Sequence, residues 1–259
     1  MPDGAGAPED AGRLDVAGVG IDVLTRDQAM ARIEALVAAP EPSLVAFVNA
    51  HTVNVAATDP AFRAVLSDAA LVLNDGAGMA LGGRLLGRPF PENLNGSDLM
   101  PLVLDLAAAR GWGVFFLGGR DGVAASAAAL LQESRPRLRI CGTRHGHFPP
   151  SESAAVAAAI RETGAELVLV AMGNPKQELW LARWLPATGA SAGFGVGAFF
   201  DFQSGRVSRA PAWMNRLGIE WAFRLALEPR RLARRYLVGN PLFLARVAPA
   251  AARRRLGRR

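Results

Sequence analysis

The chain has 259 residues, 51% of them hydrophobic and 20% charged, with one cysteine and a formal net charge of +6. That is long enough for one sizeable core and too apolar for a disordered chain. Residues 1–12 have neither a basic start nor an apolar segment, no stretch has the character of a membrane helix, and lone Cys141 excludes an internal disulfide. A cytoplasmic protein is expected, with Cys141 a small core residue on a strand. The charge is unevenly placed: residues 206–259 hold 14 arginines against Glu220 and Glu228, which leaves the preceding residues net acidic. Such a tail suits a polyanion, whether nucleic acid, an anionic membrane surface or phosphates held in a site.

Residues 14–23 read as a small strand or hairpin. A helix over 26–38 follows Thr25 as N-cap, with Met30, Ile33 and Val37 on one face. Residues 44–48 form a strand ending in Asn49-Ala50-His51, and 52–66 are helical with a restart at Asp59-Pro60. The apolar run Leu71-Val72-Leu73 leads into Asn74-Asp75-Gly76-Ala77-Gly78, then a helix over 79–86 and an irregular loop over 87–96. Ser97 is expected to cap a helix over 98–110. Strands at 113–117, 138–143, 167–172 and 192–196 then alternate with helices at 123–134, 151–163 and 176–185. That rhythm predicts an α/β fold, a Rossmann-like parallel sheet covered by helices on both faces. Beyond 205, residues 212–227 place Trp213, Leu217, Trp221 and Leu225 on one helical stripe. A second helix starts at Pro229 and is expected to break at Gly239-Asn240-Pro241, before a short apolar helix over 242–247. The expected division is a disordered tail to residue 13, an α/β catalytic domain over 14–205 and a basic helical appendage over 206–259.

Asp75 would stand at the carboxyl end of a strand, the edge where open α/β sheets bind ligands, so it is a candidate general base. A turn or N-cap aspartate is the simpler alternative. Two glycine turns join strands to helices, one with Gly118, Gly119 and Arg120, the other with Gly173, Asn174 and Lys176. Unpaired N–H groups at such helix starts accept phosphates. Neither turn is a P-loop or a full dinucleotide fingerprint, which disfavours a dehydrogenase or nucleotide-sugar epimerase. Lys176 is the only lysine, beside 28 arginines, which hints at a need for a compact ammonium there. Gln177 and Glu178 could contact a sugar or cap their helix. No Asp-x-Asp occurs, and His145-Gly146-His147 lacks a cysteine or carboxylate set, so no metal and no cofactor are expected. Nucleic-acid binding through the tail is the rival reading, but no RRM, KH or helix-turn-helix pattern supports it.

Asn49, the Asn74–Gly78 loop, Gly96-Ser97-Asp98, Phe116-Leu117-Gly118-Gly119, His145-Gly146-His147-Phe148, Gly173-Asn174-Pro175-Lys176-Gln177-Glu178, Arg209-Ala210-Pro211, Glu220-Trp221 and Glu228-Pro229 together resemble the bacterial WecG/TagA/CpsF glycosyltransferases. The resemblance spans about residues 14–247. It implies metal-independent, inverting transfer of a hexosyl group, N-acetylmannosamine or a relative, from a UDP-sugar to a polyprenyl-diphosphate-linked saccharide. It makes Asp75 the base and Asn49, Asp98, Gln177 and Glu178 substrate-site residues. Lys176, Arg231 and Arg234 become cations for the leaving diphosphate, and Arg224, Arg230 and Arg235 dock the appendage on the inner face of the membrane. Self-association near the appendage is a further analogy. Phe47 and Asn93 depart from the teichoic acid and common antigen enzymes, which have Thr and Arg there. The Asn93-Leu94-Asn95 form is closer to the exopolysaccharide branch, with Asn93 and Asn95 facing the sugar.

Overall fold

The computed structural model describes residues 12–211, 213, 214 and 218–256, apart from the side chains of Arg231, Arg255 and Leu256. A hairpin opens the chain, β1 (Arg13–Val16) and β2 (Val19–Asp22), through a tight turn in which Ala17 and Gly18 take φ of 53° and 88°. Positive φ at both central residues matches the right-handed twist of the flanking strands. Asp22 ties this hairpin to the main sheet. Its carboxylate pairs with Arg13 at 3.3 Å and Arg32 at 3.0 Å, and accepts the Val72 N–H at 2.8 Å.

The main sheet has six parallel strands: β3 (Ser43–Val48), β4 (Leu71–Asn74), β5 (Gly113–Gly118), β6 (Arg139–Arg144), β7 (Leu167–Ala171) and β8 (Ala192–Gly195), in the order β4-β3-β8-β7-β5-β6. All but β6 are buried along their whole length, as expected of parallel strands covered on both faces. Edge strand β6 is half-open, and Cys141 on it is partly buried, packed against the core.

The helices are α1 (Arg26–Ala38), α2 (Ala50–Ala56), α3 (Pro60–Asp68), α4 (Ala77–Leu85), α5 (Gly96–Arg110), α6 (Val123–Ser134), α7 (Ser153–Glu162), α8 (Lys176–Thr188) and α9 (Phe199–Gln203). Thr25 caps α1 through a reciprocal box with Gln28, and Asp59 caps α3 ahead of Pro60, as expected. One cap and one start differ. Asn95, not Ser97, caps α5, because its Oδ1 accepts the Asp98 N–H at 3.0 Å; and α7 starts at Ser153, behind a short 3-10 turn, Pro150–Glu152, rather than at 151.

The C-terminal region departs furthest from expectation. α10 spans only Glu220–Leu227, since Gly218 turns the chain at φ 70°; residues 212 and 215–217, with Leu217 of the expected stripe, lie outside the described residues. Beyond it, α11 (Pro229–Ala233), a π turn (Arg234–Val238) and α12 (Gly239–Leu256) follow without interruption. Gly239-Asn240-Pro241 therefore does not end the helix. Pro241 has no N–H to give and its ring crowds the carbonyl four residues back; the wider π turn just before it absorbs that misfit. Tertiary packing supplies the reason to continue. Phe243, Val247 and Ala251 join the same core cluster as β3 and β7, and the Phe243 ring lies against Gly82 of α4.

Phe243 is 1% exposed. Phe243→Ala should therefore cost about 3–5 kcal/mol of unfolding free energy, measured by denaturant titration. A loss below about 1 kcal/mol would show that α12 docks only loosely.

Candidate active site

β3 and β4 run in register, Val48 opposite Asn74, so the residue after each emerges side by side at the carboxyl edge. These are Asn49 and Asp75. The Asp75 N–H donates to the Val48 carbonyl at 2.8 Å, adding one rung to the ladder, and Asn49 Nδ2 donates to Asp75 Oδ2 at 3.1 Å. Asn49 Oδ1 meanwhile accepts the N–H groups of His51 and Thr52 at 3.1 and 3.2 Å, capping α2. Its amide is fixed in orientation by those bonds, with the donor side turned to the carboxylate. On the other flank Asn93 Oδ1 accepts the Gly76 N–H at 2.7 Å, and Gly76 has φ of 89°, a conformation suited to glycine. Asn74 is buried and donates to the Glu92 carbonyl at 2.8 Å, so the 87–96 loop folds down over the end of β4. Asp75 itself is partly exposed.

Asn95 is buried and donates to Asp98 Oδ2 at 2.7 Å, while Arg209 reaches Asp98 Oδ1 at 2.5 Å. Burial alone would raise the Asp98 pKa; the hydrogen bonds from Asn95 and Arg209 and the charges of Arg209 and Arg26 outweigh it, so Asp98 is held below the usual carboxylate range. The appendage then closes over this corner. Gly218 lies so close to Ala77 that a β-carbon there would stand 3.2 Å from the alanine's. Glu220 follows, half-buried; burial pushes its carboxyl up, Arg224 and Arg209 oppose this, and the charges of Asp75 and Asp98 push it further up. Glu220 and Arg209 thus belong to the site although the sequence did not single them out. Their signal was the Arg209-Ala210-Pro211 and Glu220-Trp221 motifs, whose place in space only the folded appendage reveals.

Across the same edge, the loops after β7 and β8 are joined from beneath. Gln177 Oε1 accepts the N–H of Gly173 and of Gly197, each at 3.1 Å. Glu178 Oε1 accepts from Asn174 Nδ2 at 2.5 Å and from Gln177 Nε2 at 2.8 Å. Gln177 and Glu178 are only 2% and 0% exposed, so neither side chain lies on the surface, whereas Gly173 and Lys176 are exposed. Burial raises the Glu178 carboxyl to about 7 in spite of the donors facing it.

Gly118 ends β5 with φ of 143°, where a β-carbon would collide with the Ala171 backbone; Gly119 donates to the Ala171 carbonyl at 2.9 Å, and Arg120 is exposed. The Gly119 and Gly173 amides are therefore engaged within the protein, and Arg120 and Lys176 are the exposed cations of the two turns. Of the appendage arginines, Arg230 and Arg234 are exposed. Arg224 and Arg235 are half-buried: Arg224 lies over the Phe202 ring at 5.4 Å, and Arg235 acts on His51, whose pKa is lowered first by burial and then by that charge. The Arg231 side chain lies outside the described residues. Among the described residues no three His, Cys, Asp or Glu side chains converge as a metal set, and no helix is long and apolar enough to cross a membrane.

The parallel sheet, covered by helices on both faces, is a Rossmann-like α/β fold that presents a carboxylate, carboxamides and cations along its carboxyl edge. The chain belongs to the glycosyl transferase WecG/TagA/CpsF family, whose model matches residues 14–257, and is a glycosyltransferase of cell-surface polysaccharide synthesis. Enzymes of this family imply a nucleotide-sugar donor and a lipid-linked acceptor. Among solved structures, a protein from Burkholderia cenocepacia J2315 described as a lyase/mutase is 17% identical, over 80% of this chain and 90% of that one, with a TM-score of 0.26.

The buried Glu178 gives stability a pH dependence. The folded state keeps a proton that the unfolded chain releases, so its contribution is full below about 4.5 and is lost as pH rises through about 7. Glu178→Gln should flatten that decline in a pH series of melting temperatures. An unchanged slope would place the titration elsewhere.

Proposed function

We propose that the enzyme moves a hexosyl group from a UDP-sugar, N-acetylmannosamine or a relative, to a polyprenyl-diphosphate-linked saccharide, with inversion and without a metal ion. The observation that carries this reading is Asp75, pinned by the Val48 carbonyl and Asn49 yet partly exposed. In a single displacement one carboxylate suffices. Asp75 removes the proton from the acceptor hydroxyl while that oxygen attacks the anomeric carbon, and the bond to the diphosphate breaks on the opposite face. An aspartate is a weak base at neutral pH, so its value lies in position, and Asn49 orients it by a hydrogen bond to one oxygen. Asn93, Asn95 and Asp98 line the sugar side, with Asn93 and Phe47 biasing the choice of sugar. Phe47 supports that role by packing beneath Gly96, where it shapes the start of α5. Negative charge on the leaving diphosphate is met by Lys176 and Arg120, joined by Arg231 and Arg234 from the appendage.

We assign residues 14–205 to catalysis, and residues 206–259 both to completing that site and to docking on an anionic membrane at the cytoplasmic face. Arg230 and Arg234 are exposed on the same helix as Leu237 and Val238, which are 62% and 58% exposed. Cations beside projecting apolar side chains suit a lipid headgroup layer, where each basic residue contributes about 1 kcal/mol. Self-association through this region is a second use of the same apolar surface.

Asp75→Asn should lower kcat by about 10²–10⁴-fold in transfer from a panel of UDP- and GDP-sugars, with UDP affinity retained. Near-normal turnover would remove Asp75 as the base. Arg230→Glu with Arg234→Glu should release the protein from vesicles containing anionic lipid, read by sedimentation, while binding to neutral vesicles stays low for both proteins. Equal sedimentation with the anionic vesicles would reject the docking surface.

A further inference from the structure

We infer that Glu178 is a positioning residue for nucleotide binding: its Oε1 fixes the side chains of Asn174 and Gln177, and through them the two glycine loops that follow β7 and β8. The nucleotide part rests on the donor reading above; the loop part rests on the bonds alone. Gln177 has one acceptor end and one donor end. Two N–H groups, those of Gly173 and Gly197, face its Oε1, and the Glu178 carboxyl oxygen faces its Nε2. Only one orientation of the amide satisfies all three contacts, because the flipped amide would set NH2 against two N–H donors and oxygen against oxygen.

The two glycine N–H groups already favour that orientation, and Glu178 completes it by giving the donor end of Gln177 an acceptor. Replaced by an apolar side chain, it would leave the donor end of Gln177 without an acceptor in a buried place, and Asn174 Nδ2 would lose the same oxygen. Just before the loops, the Val196 N–H donates to the Val170 carbonyl at 2.9 Å, joining the two strands that carry them. Gly195 marks how closely the pair is fitted, since a β-carbon there would stand 2.8 Å from Gln177 Nε2 and 3.0 Å from Glu178 Oε1.

The carboxyl does not touch a ligand itself. Its residue is 0% exposed, and Gly173 and Lys176 form the outer rim one layer above. Among the described residues, its second oxygen, Oε2, has no hydrogen-bond partner and no cation shifts its carboxyl. A buried acid without a counter-charge is a poor way to stabilise a core; a well-packed apolar side chain does better. Keeping an acid at this point is explained when the two loops must hold one fixed relation for a nucleotide diphosphate to lie across them.

The test compares Glu178→Leu, Glu178→Gln and Gln177→Ala with the wild type. Three readouts are used: hydrogen exchange at the Gly173 and Gly197 amides, affinity for UDP, GDP and ADP by calorimetry, and steady-state transfer. Glu178→Leu should lose about tenfold or more in amide protection and in affinity for whichever nucleotide the wild type binds, with KM for the donor rising more than kcat falls. Glu178→Gln retains an acceptor oxygen for both amides and should stay within about threefold of wild type in all three readouts. If Glu178→Leu does not fold, Gln177→Ala carries the same test, because it removes the shared acceptor directly. Unchanged protection of both glycine amides in a folded Glu178→Leu or Gln177→Ala protein would overturn the inference. So would a Glu178→Gln protein as impaired as Glu178→Leu. A wild type that binds none of the nucleotides would instead reject the donor reading, while the exchange rates still decide whether Glu178 holds the loops.

Discussion

The site depends on the parallel register of β3 and β4. With Val48 paired to Asn74, the next residue of each strand must leave the sheet at the same height, and the Asp75 N–H closes one further rung on the Val48 carbonyl. A slip of one residue would turn Asp75 to the other face and part it from Asn49. The carboxylate is therefore placed by backbone hydrogen bonds and by a buried apolar ladder, not by the flexible loop that follows it. The asparagines around it serve backbone groups as much as each other: Asn49 caps α2, Asn93 holds Gly76, and Asn95 caps α5. Each cap spends only the acceptor end of its amide, which leaves the donor end for a carboxylate, Asp75 in one case and Asp98 in another.

The two ends of this edge are governed by different electrostatics. Around Asp98 the acid is met by Arg209 and Asn95, so it stays ionised. Around Glu178 the donors are neutral amides, and burial prevails, so the proton is retained to about neutral pH. Among the described residues, the Asp75 carboxylate takes one side-chain hydrogen bond, from the neutral amide of Asn49. An ionised neighbour in full contact would either stabilise its charge and blunt it as a base, or repel it. A carboxamide orients the carboxylate with little of either effect.

Much of this was legible in the sequence where the decisive contacts are local. The Thr25 and Asp59 caps, the alternation of strand and helix, and the acid after the 71–74 strand all follow from interactions within a few residues. Position alone could not separate Asn95 from Ser97 as the cap of α5, since both residue types cap and stand two apart; the choice was made by which side chain meets the Asp98 N–H. Gln177 and Glu178 could be placed in the first turn of α8, but not under it, because their burial is caused by β8 and by the absence of a side chain at Gly195. Glu220 stood out only within the Glu220-Trp221 motif, which does not say where the residue lies in space. It reaches Asp75 and Asp98 electrostatically only because the chain folds back on itself after Gly205.

The appendage also shows why a breaking motif need not break. Gly239-Asn240-Pro241 has a strong local preference to end a helix, worth about 3 kcal/mol for the proline in a regular interior. Against this stand Phe243, Val247 and Ala251, spaced four residues apart along one face and buried in the core beside α2 and α4. Burying a phenylalanine side chain contributes about 1.5–3 kcal/mol, and the other two add to it. The apolar gain is comparable to the penalty, and the π turn at Arg234–Val238 lowers the penalty by widening the helix where proline would clash. That compromise has a geometric result. Inserting the extra residue of a π turn rotates what precedes it relative to α12, so α12 can keep its apolar face on the core while Leu237 and Val238 project outward and Arg235 stays near His51. The same local distortion that lets the helix pass its proline thus sets which side chains of the appendage face the protein and which face outward.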